Sequence, residues 1–426
     1  MLTEGDKMEY RKIESHAYNI HIINTNKFKK NMIKINFRGK LVKEDIIKRK
    51  MITSILLDSN SIYQTKRLLD IKTEELYNLE GYNQTNISGN SLITSFNATF
   101  LNDKYTNEEI IEECIKFESE LILKPLIKDD KFQKKAFNKA RDKVIEDINS
   151  IKENPKSYSI MRCLENMDKD IFSYREEGYL EDLENIDEKN LYKYYLEMLK
   201  TNKIDIFIIG EFNIDVKSII EKYFNFNIIK KLKLNPYITH TRLRKTYRKI
   251  IEESNNSQTN LIMGYKIDKM NDFERQYVLP IYSYILGGGS DSRLFKNVRE
   301  KNSLCYSIKT VPRPISSSLL IVSGIDYKNH KKAIKLIKKD IKFMEEGKFD
   351  DYDIEKAISI YINAYREIED DEASIISKYV SCEYLNYDLI EDNIKNITKV
   401  TKKMVMELAL KIHPDTIFIL KGEEND

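Results

Sequence analysis

The chain has 426 residues, which is too long for one ordinary hydrophobic core and favours two domains of about 200 residues each. Hydrophobic residues make up 41% and charged residues 33% of it, a composition typical of a soluble globular protein. The 71 basic and 68 acidic side chains nearly balance at a net charge of +3, which argues against a nucleic-acid-binding surface.

The cysteines and the first residues bear on the compartment. Four cysteines lie far apart, so neither a disulfide framework nor a zinc knuckle is predicted. The chain starts with polar and charged residues, and no apolar stretch reaches the length of a membrane span. We therefore expect no signal peptide, no membrane contact and a reducing, cytoplasmic location.

The first half of the chain predicts strands interspersed with amphipathic helices. Strand patterns cover residues 10–23, 32–38, 83–87, 92–101 and 204–210. Helix patterns cover residues 43–58, 65–79, 107–123, 131–152, 158–167, 188–200 and 216–223. Residues 224–248 contain Pro236 and many lysines, and they predict a linker between two domains.

The second half repeats the element order of the first. The corresponding segments are 32–38 with 260–266, 43–58 with 271–286, 92–101 with 319–327, and 182–212 with 391–422. One element order used twice predicts a duplicated domain, with boundaries at 1–225 and 226–426. Strands mixed with helix pairs predict the α+β class, in which each domain has a mostly antiparallel sheet with helices packed on one face.

A glycine-rich turn interrupts the second half. The helix ending near residue 286, with a kink expected at Pro280, runs into three consecutive glycines. These are Gly287, Gly288 and Gly289. Their tolerance of positive φ predicts a tight turn, and Ser290 or Ser292 can cap the helix that follows.

Two strong hydrogen-bond donors follow this turn. Arg299 lies near the end of the next helix, and Tyr306 lies at the start of a strand pattern over residues 305–311. A guanidinium and a phenol on rigid elements beside a glycine turn predict a donor site. The alternative is a helix stop, a solvated charge and a core aromatic ring. The pattern is not a phosphate loop, because the required glycine and lysine spacing is missing.

Four sequence blocks carry a family resemblance. They read LGGG at 286–289, SRLF at 292–295, VREK at 298–301 and LCYS at 304–307. This string resembles the start of the C-terminal domain of insulinase/pitrilysin-like zinc peptidases, the inverzincins, especially the half-length bacterial and mitochondrial-processing-peptidase type. The resemblance implies two homologous domains that together form half of a clam-shell chamber.

The metal motif of that family is missing here. In the family, His-x-x-Glu-His on a helix of the N-terminal domain binds zinc and a downstream glutamate is the third ligand. The motif falls on residues 51–55, MITSI, which contain no zinc ligand, and the third-ligand position falls at Asp147. No two of the five histidines are three or four residues apart, so each is interpreted as structural or exposed: His16, His21, His240, His330 and His413. We expect no cofactor in this chain.

The resemblance also implies a partner. Half-length members work in pairs, in which one subunit holds His-x-x-Glu-His with zinc and the other presents an Arg/Tyr pair. Arg299 and Tyr306 match that pair, and as fixed donors they could stabilise the oxyanion formed during peptide hydrolysis. The resemblance thus implies a zinc-less heterodimer subunit for peptide or bacteriocin maturation, and it leaves open a homodimer of the isolated chain.

Two further parts of the predicted site rest on the same resemblance. The glycine turn 287–289 matches a loop that admits substrate, and strand 92–101, with Asn97 and Thr99, matches the edge strand to which a peptide substrate adds. The alternative function is a structural or peptide-binding scaffold without a share in catalysis. A self-sufficient hydrolase is disfavoured, because neither metal ligands nor another catalytic motif is present.

Overall fold

The computed structural model describes residues 8–15, 17–226, 232, 234–238, 240 and 242–423. His16 and part of the predicted linker, residues 227–231, 233, 239 and 241, lie outside the described residues. Contacts divide the chain into two compact units. Unit 1 comprises Met1–Asn149, Glu176–Asn235 and Asp371–Ser377, and unit 2 comprises Ser150–Arg175, Pro236–Asp370 and Lys378–Asp426.

Strands and helices follow the predicted order closely. The strands are β1 Glu9–Glu14, β2 Asn19–Asn24, β3 Lys30–Lys40, β4 Glu80–Ser88, β5 Ser91–Leu101, β6 Ile127–Lys128, β7 Lys131–Phe132, β8 Lys203–Gly210, β9 Arg248–Glu253, β10 Thr259–Ile267, β11 Cys305–Arg313, β12 Ser318–Ile325 and β13 Ile412–Lys421. The helices are α1 Asp45–Leu56, α2 Lys66–Glu75, α3 Ile111–Leu123, α4 Lys134–Asn149, α5 Pro155–Met167, α6 Glu188–Thr201, α7 Val216–Tyr223, α8 Leu279–Gly287, α9 His330–Glu345, α10 Asp351–Glu367, α11 Glu372–Leu385, α12 Ile390–Ile397 and α13 Lys402–Ala409. In the part of the chain that the structure describes, none of these helices has the length and apolar character needed to cross a bilayer.

The two main sheets share one strand order. Unit 1 has the order β4-β5-β3-β8-β2-β1, and unit 2 has the order β11-β12-β10-β13-β9. In each sheet the pair at the same place, β2 with β8 and β9 with β13, is parallel, while the other neighbours are antiparallel. The predicted α+β class, with one fold used twice, is therefore confirmed.

The sheet of unit 2 is covered on both faces. Side chains alternate along β10, so that Leu261 and Met263 belong to one apolar cluster and Ile262 to another. The first cluster packs against α8, α9 and α13, and the second packs against α5 through Cys163 and Met167. The prediction of helices on one face only is wrong for this unit. Local periodicity could not assign α5, because it lies far from β10 in sequence.

Gly264 explains how α5 approaches the sheet so closely. A Cβ atom at this position would lie 2.6 Å from Met167 Sδ and 3.2 Å from Cys163 Sγ. Such distances are too short for van der Waals contact, so a side chain here would push α5 away from β10. The glycine in β10 therefore fixes the distance between this helix and the sheet.

The start of the chain differs from its prediction. Residues 10–23 form two strands, β1 and β2, which pair antiparallel with each other. The consecutive strands β2 and β3 do not pair with each other, because β8 lies between them. A strand from the end of the unit thus enters the middle of the sheet, a long-range pairing that a local pattern cannot predict.

Candidate functional site

The helix α1 occupies the place of the family's metal motif. Met51, Ile52 and Ile55 are fully or almost fully buried, and Ser54 is half-buried. The Thr53 hydroxyl donates back to the Lys50 carbonyl at 2.8 Å, so it is bound within the helix. These side chains offer packing surface and no metal ligands, and they do not fit zinc.

The predicted third-ligand position is also not part of a metal site. Asp147 is an exposed residue of α4. Burial lowers the pKa of Lys50, and the carboxylates of Glu177, Asp147 and Glu176 act in the opposite direction. A lysine ammonium is thus the cation that interacts with this acid. Among the described residues, no group of three or more His, Cys, Asp or Glu side chains is arranged to hold a metal ion.

A buried guanidinium lies two residues before Met51, on the same helix. Arg49 is only 2% exposed. Its nitrogens donate to the carbonyls of Phe37 and Leu92 at 3.0 and 3.1 Å, to the Tyr194 hydroxyl at 3.0 Å and to Asn202 Oδ1 at 2.5 Å. All these acceptors are neutral. Arg49 therefore ties α1 to β3, β5 and α6, which makes the region a structural core.

The glycine turn forms for a different reason from the predicted one. Positive φ is found at glycines elsewhere in the described chain, such as Gly178 and Gly347, but not at residues 287–289. Instead, a Cβ at Gly287 would lie 2.9 Å from Thr310 Cγ2 and 3.0 Å from the Thr310 amide nitrogen. The prediction of a positive-φ turn is wrong, since close approach of α8 to β11 is what requires glycine here.

Neither predicted serine, Ser290 or Ser292, caps the segment that carries Arg299 with its side chain, so that prediction is wrong. The Ser292 hydroxyl donates to the Gly289 carbonyl at 2.6 Å, and the Ser292 carbonyl accepts from the Lys296 amide at 3.0 Å. A π-helical turn, Phe295–Lys301, follows. A second π-helical turn, Glu274–Val278, precedes Pro280 where the kink was expected. π-Helical turns are rare and often lie at functional sites.

The guanidinium of Arg299 is available to a ligand. Its central carbon lies 4.5 Å from the centre of the Phe295 ring, and the residue is exposed. No carboxylate of the described residues lies within 4 Å of it. Other arginines do form ion pairs, such as Arg162 with Glu252. The ring orients the cation without neutralising it.

Tyr306 lies on a β-bulge at the edge of the sheet. Cys305 pairs with Ile325 and Ser307 with Gly324, so Tyr306 is the extra residue between them. The bulge turns its side chain outward, and the residue is 61% exposed. Its hydroxyl donates to Asp326 Oδ1 at 3.0 Å, and this hydrogen bond raises the pKa of Tyr306.

The two predicted donors line one cavity of about 370 Å³. Asp326, which follows β12 directly, also lines it. Sequence reasoning missed Asp326, because the strand pattern was extended past it to residue 327. Burial raises the pKa of the Cys305 thiol, while the nearby Arg299 acts against this, so the thiol at the base of the cavity stays protonated. The cavity therefore offers a guanidinium, a phenol and a carboxylate together.

The predicted substrate strand is not at an edge. β5 pairs with β3 on one side and with β4 on the other, so the edge-strand assignment is wrong. Asn97 is fully buried and donates to the Tyr82 carbonyl at 3.1 Å, and Thr99 is half-buried. The edge strand on this side of the sheet is β4, whose residues are mostly polar, none of them buried, and lack the clean alternation that drew attention to β5.

Two histidines, His21 and His240, belong to structural networks. Nδ1 of the buried His21 bonds with the Tyr10 hydroxyl at 2.8 Å, and Nε2 lies 3.6 Å from Asp205. Burial opposes ionisation of Asp205, but the nearby His21, the charge of Lys203 and the hydrogen bond from Asn19 outweigh it and lower the pKa of this carboxyl. His240 bonds through Nε2 with the Ser316 carbonyl at 2.8 Å. These contacts hold strands and loops together.

Comparison with known proteins agrees with this architecture. Residues 185–361 match the family described as peptidase M16 inactive domain. A Bacillus subtilis (strain 168) protein described as probable inactive metalloprotease YmfF is 26% identical over 417 residues, covering 95% of this chain and 96% of that protein. A Rickettsia bellii protein described as an uncharacterized zinc protease is 38% identical over 61 residues, or 14% of this chain and 15% of that protein.

Solved structures show the same fold. A conserved protein from Enterococcus faecalis V583 has a TM-score of 0.90 at 24% identity, and the match covers 98% of this chain and 100% of that protein's chain. A peptidase M16 inactive domain from Pseudomonas fluorescens has a TM-score of 0.76 at 14% identity, covering 98% and 99%. Fold and site define a protein of the metallopeptidase type with two α+β repeats. The chain is similar to insulinase-like proteins of the M16 family in a region of its sequence and in its fold, which confirms the resemblance.

Proposed function

We propose that this protein is the zinc-less subunit of a heterodimeric M16-type peptidase that processes peptides or peptide precursors in the cytoplasm. A partner with His-x-x-Glu-His would hold the metal, which when bound activates water in such enzymes. This chain would contribute Arg299 and Tyr306 and half of the substrate chamber. Its own residues at positions 51–55 do not fit zinc.

The observation that carries the proposal is the shared cavity of Arg299 and Tyr306. The guanidinium has no carboxylate within 4 Å among the described residues, so its donors are free for a substrate oxygen. Tyr306 is held outward by a bulge, a device common beside active sites. Preorganised donors of this kind stabilise an oxyanion without having to reorganise during the reaction.

Two open sheet edges support peptide binding. β4 is the edge of the unit 1 sheet and β11 is the matching edge of the unit 2 sheet. An extended peptide can add to such an edge through backbone hydrogen bonds, whatever its side chains are. Strand addition to β4 replaces the predicted addition to β5, and it suits a protein that handles varied peptides.

The experiment reconstitutes the full chain with a half-length His-x-x-Glu-His subunit and measures kcat/KM on a peptide library. Arg299→Ala should lower kcat/KM about 100-fold, since an oxyanion donor is lost. Tyr306→Phe should lower it about tenfold, the cost of one hydrogen bond to a charged group. Lys301→Ala, an exposed change on the same π-helical turn, and Tyr352→Phe, on exposed Tyr352, should leave it unchanged.

The second candidate function is a peptide-binding scaffold. It is favoured by the bond from Tyr306 to Asp326, because the phenol proton is already donated to a carboxylate. Asp326→Asn separates the two candidates. It should raise kcat/KM of the pair if the phenol assists catalysis, and it should change nothing if the chain only binds peptide. Peptide retention without turnover by the assembled pair would favour the scaffold.

Assembly itself needs a separate measurement. Light scattering of the chain alone and mixed with the His-x-x-Glu-His subunit should show a one-to-one complex of two different chains. A homodimer that persists in the mixture and excludes the second chain would contradict the heterodimer.

A further inference from the structure

A second cavity in unit 2, of about 500 Å³, is lined by many basic residues. It lies beside the edge strand β9, between the loop before that strand and the helix α9. Its lysines are Lys245, Lys249, Lys331 and Lys338. The near balance of charge over the whole chain therefore conceals a local excess of positive charge.

No acidic residue neutralises these four ammonium groups. Among the described residues, no carboxylate lies within 4 Å of any of them, whereas Lys342 on the same helix pairs with Glu346 at 3.9 Å. The carboxyl of Glu345 acts electrostatically on Tyr247 in the cavity wall, but burial raises the pKa of Glu345. All four lysines are exposed and line the same open cavity, so an anion bound there would meet positive charge from several sides.

Two of the four lysines are held in place by neutral partners. The ammonium of Lys338 lies 4.3 Å from the centre of the Tyr247 ring, and the Tyr247 hydroxyl donates to the buried Tyr265 hydroxyl at 2.8 Å. Such a partner restricts the side chain and keeps its full charge. The cation is thus positioned before any ligand arrives.

The buried His330 orients another of the lysines. Its Nδ1 lies 2.6 Å from the Tyr327 carbonyl, which can only accept, so Nδ1 carries the proton. Nε2 is then an acceptor, and it lies 3.4 Å from the Lys249 ammonium. A buried imidazole that accepts from a lysine positions that charge without cancelling it.

The sequence of α9 adds positive charge where a helix disfavours it. The helix starts with His330, Lys331 and Lys332, and its first turn contains no acidic residue. The N-terminal end of a helix carries a partial positive charge, so cations there are unfavourable by a few tenths of a kcal/mol. An anion bound against Lys331 would relieve this repulsion.

We propose that this cavity binds an oligophosphate, a small molecule with two or more phosphate groups. Lysine is a common point-charge ligand of phosphate, and four such charges exceed what one carboxylate needs. The volume lies in the range of small-molecule sites. Ile334, Ile417 and the Tyr247 ring supply an apolar surface against which an organic part of the ligand packs.

Isothermal titration calorimetry on the full chain tests the proposal with sodium tripolyphosphate at constant ionic strength. Saturable one-to-one binding is expected. Lys331→Gln combined with Lys338→Gln should weaken it about 100-fold, at about tenfold for each lost contact with a charged group. ATP is titrated in parallel. Tighter binding of ATP would identify a nucleotide, and equal binding would identify the inorganic chain as sufficient.

The matched control is Lys332→Gln combined with Lys335→Gln, which removes the same charge from exposed positions of the same helix that do not line the cavity. It should change the dissociation constant less than about twofold. Equal weakening by both double variants would overturn the proposal, because binding would then follow net charge. Absent tripolyphosphate binding, or preferential binding of polyglutamate or duplex DNA, would overturn it too.

Discussion

The helix α1 and the bulge of β11 are the two places where the chemistry of an insulinase-like peptidase is expected, and they differ in almost every physical respect. At α1, Met51 and Ile55 are buried and apolar. At the bulge, Tyr306 is exposed and polar, and it shares a cavity with the exposed Arg299 of the preceding π-helical turn. The α1 site is part of the hydrophobic core, while the site at the bulge is accessible to a ligand.

Under the proposed function, this difference corresponds to the partial loss of a catalytic function. Metal ligands that are buried without a metal are costly, so apolar residues replace them readily once the ion is gone. An exposed arginine and tyrosine cost the fold little, so no comparable pressure removes them. The following changes separate a functional role of Arg299 and Tyr306 from a structural one.

Returning histidines to α1 should have the largest effect. Met51→His combined with Ile55→His places two imidazoles in an apolar core, so the free energy of unfolding should fall by at least about 4 kcal/mol. Urea unfolding followed by circular dichroism measures this. Ser54→His, at a half-buried position of the same helix, should cost less than about 1 kcal/mol. Stoichiometric zinc that restores the stability of the double variant would mean that a metal-site geometry survives.

Removal of the Arg49 guanidinium from α1 should cause the next largest loss of stability. Arg49→Met leaves the Phe37 and Leu92 carbonyls without their donor, so unfolding should become easier by about 3 kcal/mol. The control is Lys66→Met on α2, where an exposed ion pair with Asp70 is worth less than about 1 kcal/mol. A loss of stability as small as that of the control would contradict the structural role of Arg49.

A buried carboxyl in unit 1 should make stability depend on pH. Burial raises the pKa of Glu118 from 4.5 to about 8, and its Oε1 has no hydrogen-bond partner in the described residues. The folded state then holds a proton that the unfolded state has lost, so stability falls as pH rises from 4.5 towards 8.

The variant Glu118→Gln removes this dependence. It should match the wild type at pH 4.5 and exceed it by about 4 kcal/mol at pH 8, as measured by urea unfolding at each pH. Glu109→Gln, an exposed change just before α3, should show no such difference. Parallel curves for Glu118→Gln and the wild type would show that the carboxyl is ionised inside the fold.

Changes at the bulge should have the smallest effect on stability. Tyr306→Phe and Asp326→Asn each alter an exposed hydrogen bond, so the free energy of unfolding should change by less than about 0.5 kcal/mol. Differential scanning calorimetry of the full chain checks this. A loss of stability above about 1.5 kcal/mol for either variant would show that Tyr306 and Asp326 have a structural role, as α1 does.

Local patterns in the sequence predicted the elements well. The helix expected at residues 43–58 is Asp45–Leu56, and the strand expected at 204–210 is Lys203–Gly210. Both have strong periodicity or a run of apolar residues, which depend on neighbours in the sequence. The repeated order of elements also predicted the matching sheets, because a duplication is visible in the order alone.

What the sequence could not predict depends on distant residues. The edge position of β4, the insertion of β8 between β2 and β3 and the packing of α5 are long-range pairings. The bulge at Tyr306 is set by the register with β12, and Asp326 reaches the phenol only through that register. The lysine cavity joins a loop, a strand and a helix that are separated along the chain.

The membership of α5 in unit 2 affects how this protein can be made. Cys163 and Met167 cover strands that include β13, near the far end of the polypeptide. During synthesis, their apolar side chains stay without this partner until roughly 250 further residues have been made, which takes several tens of seconds at slow translation rates. Cutting the gene between codons 225 and 226 would separate α5 from the sheet that it covers. Neither half should therefore fold stably when it is expressed alone.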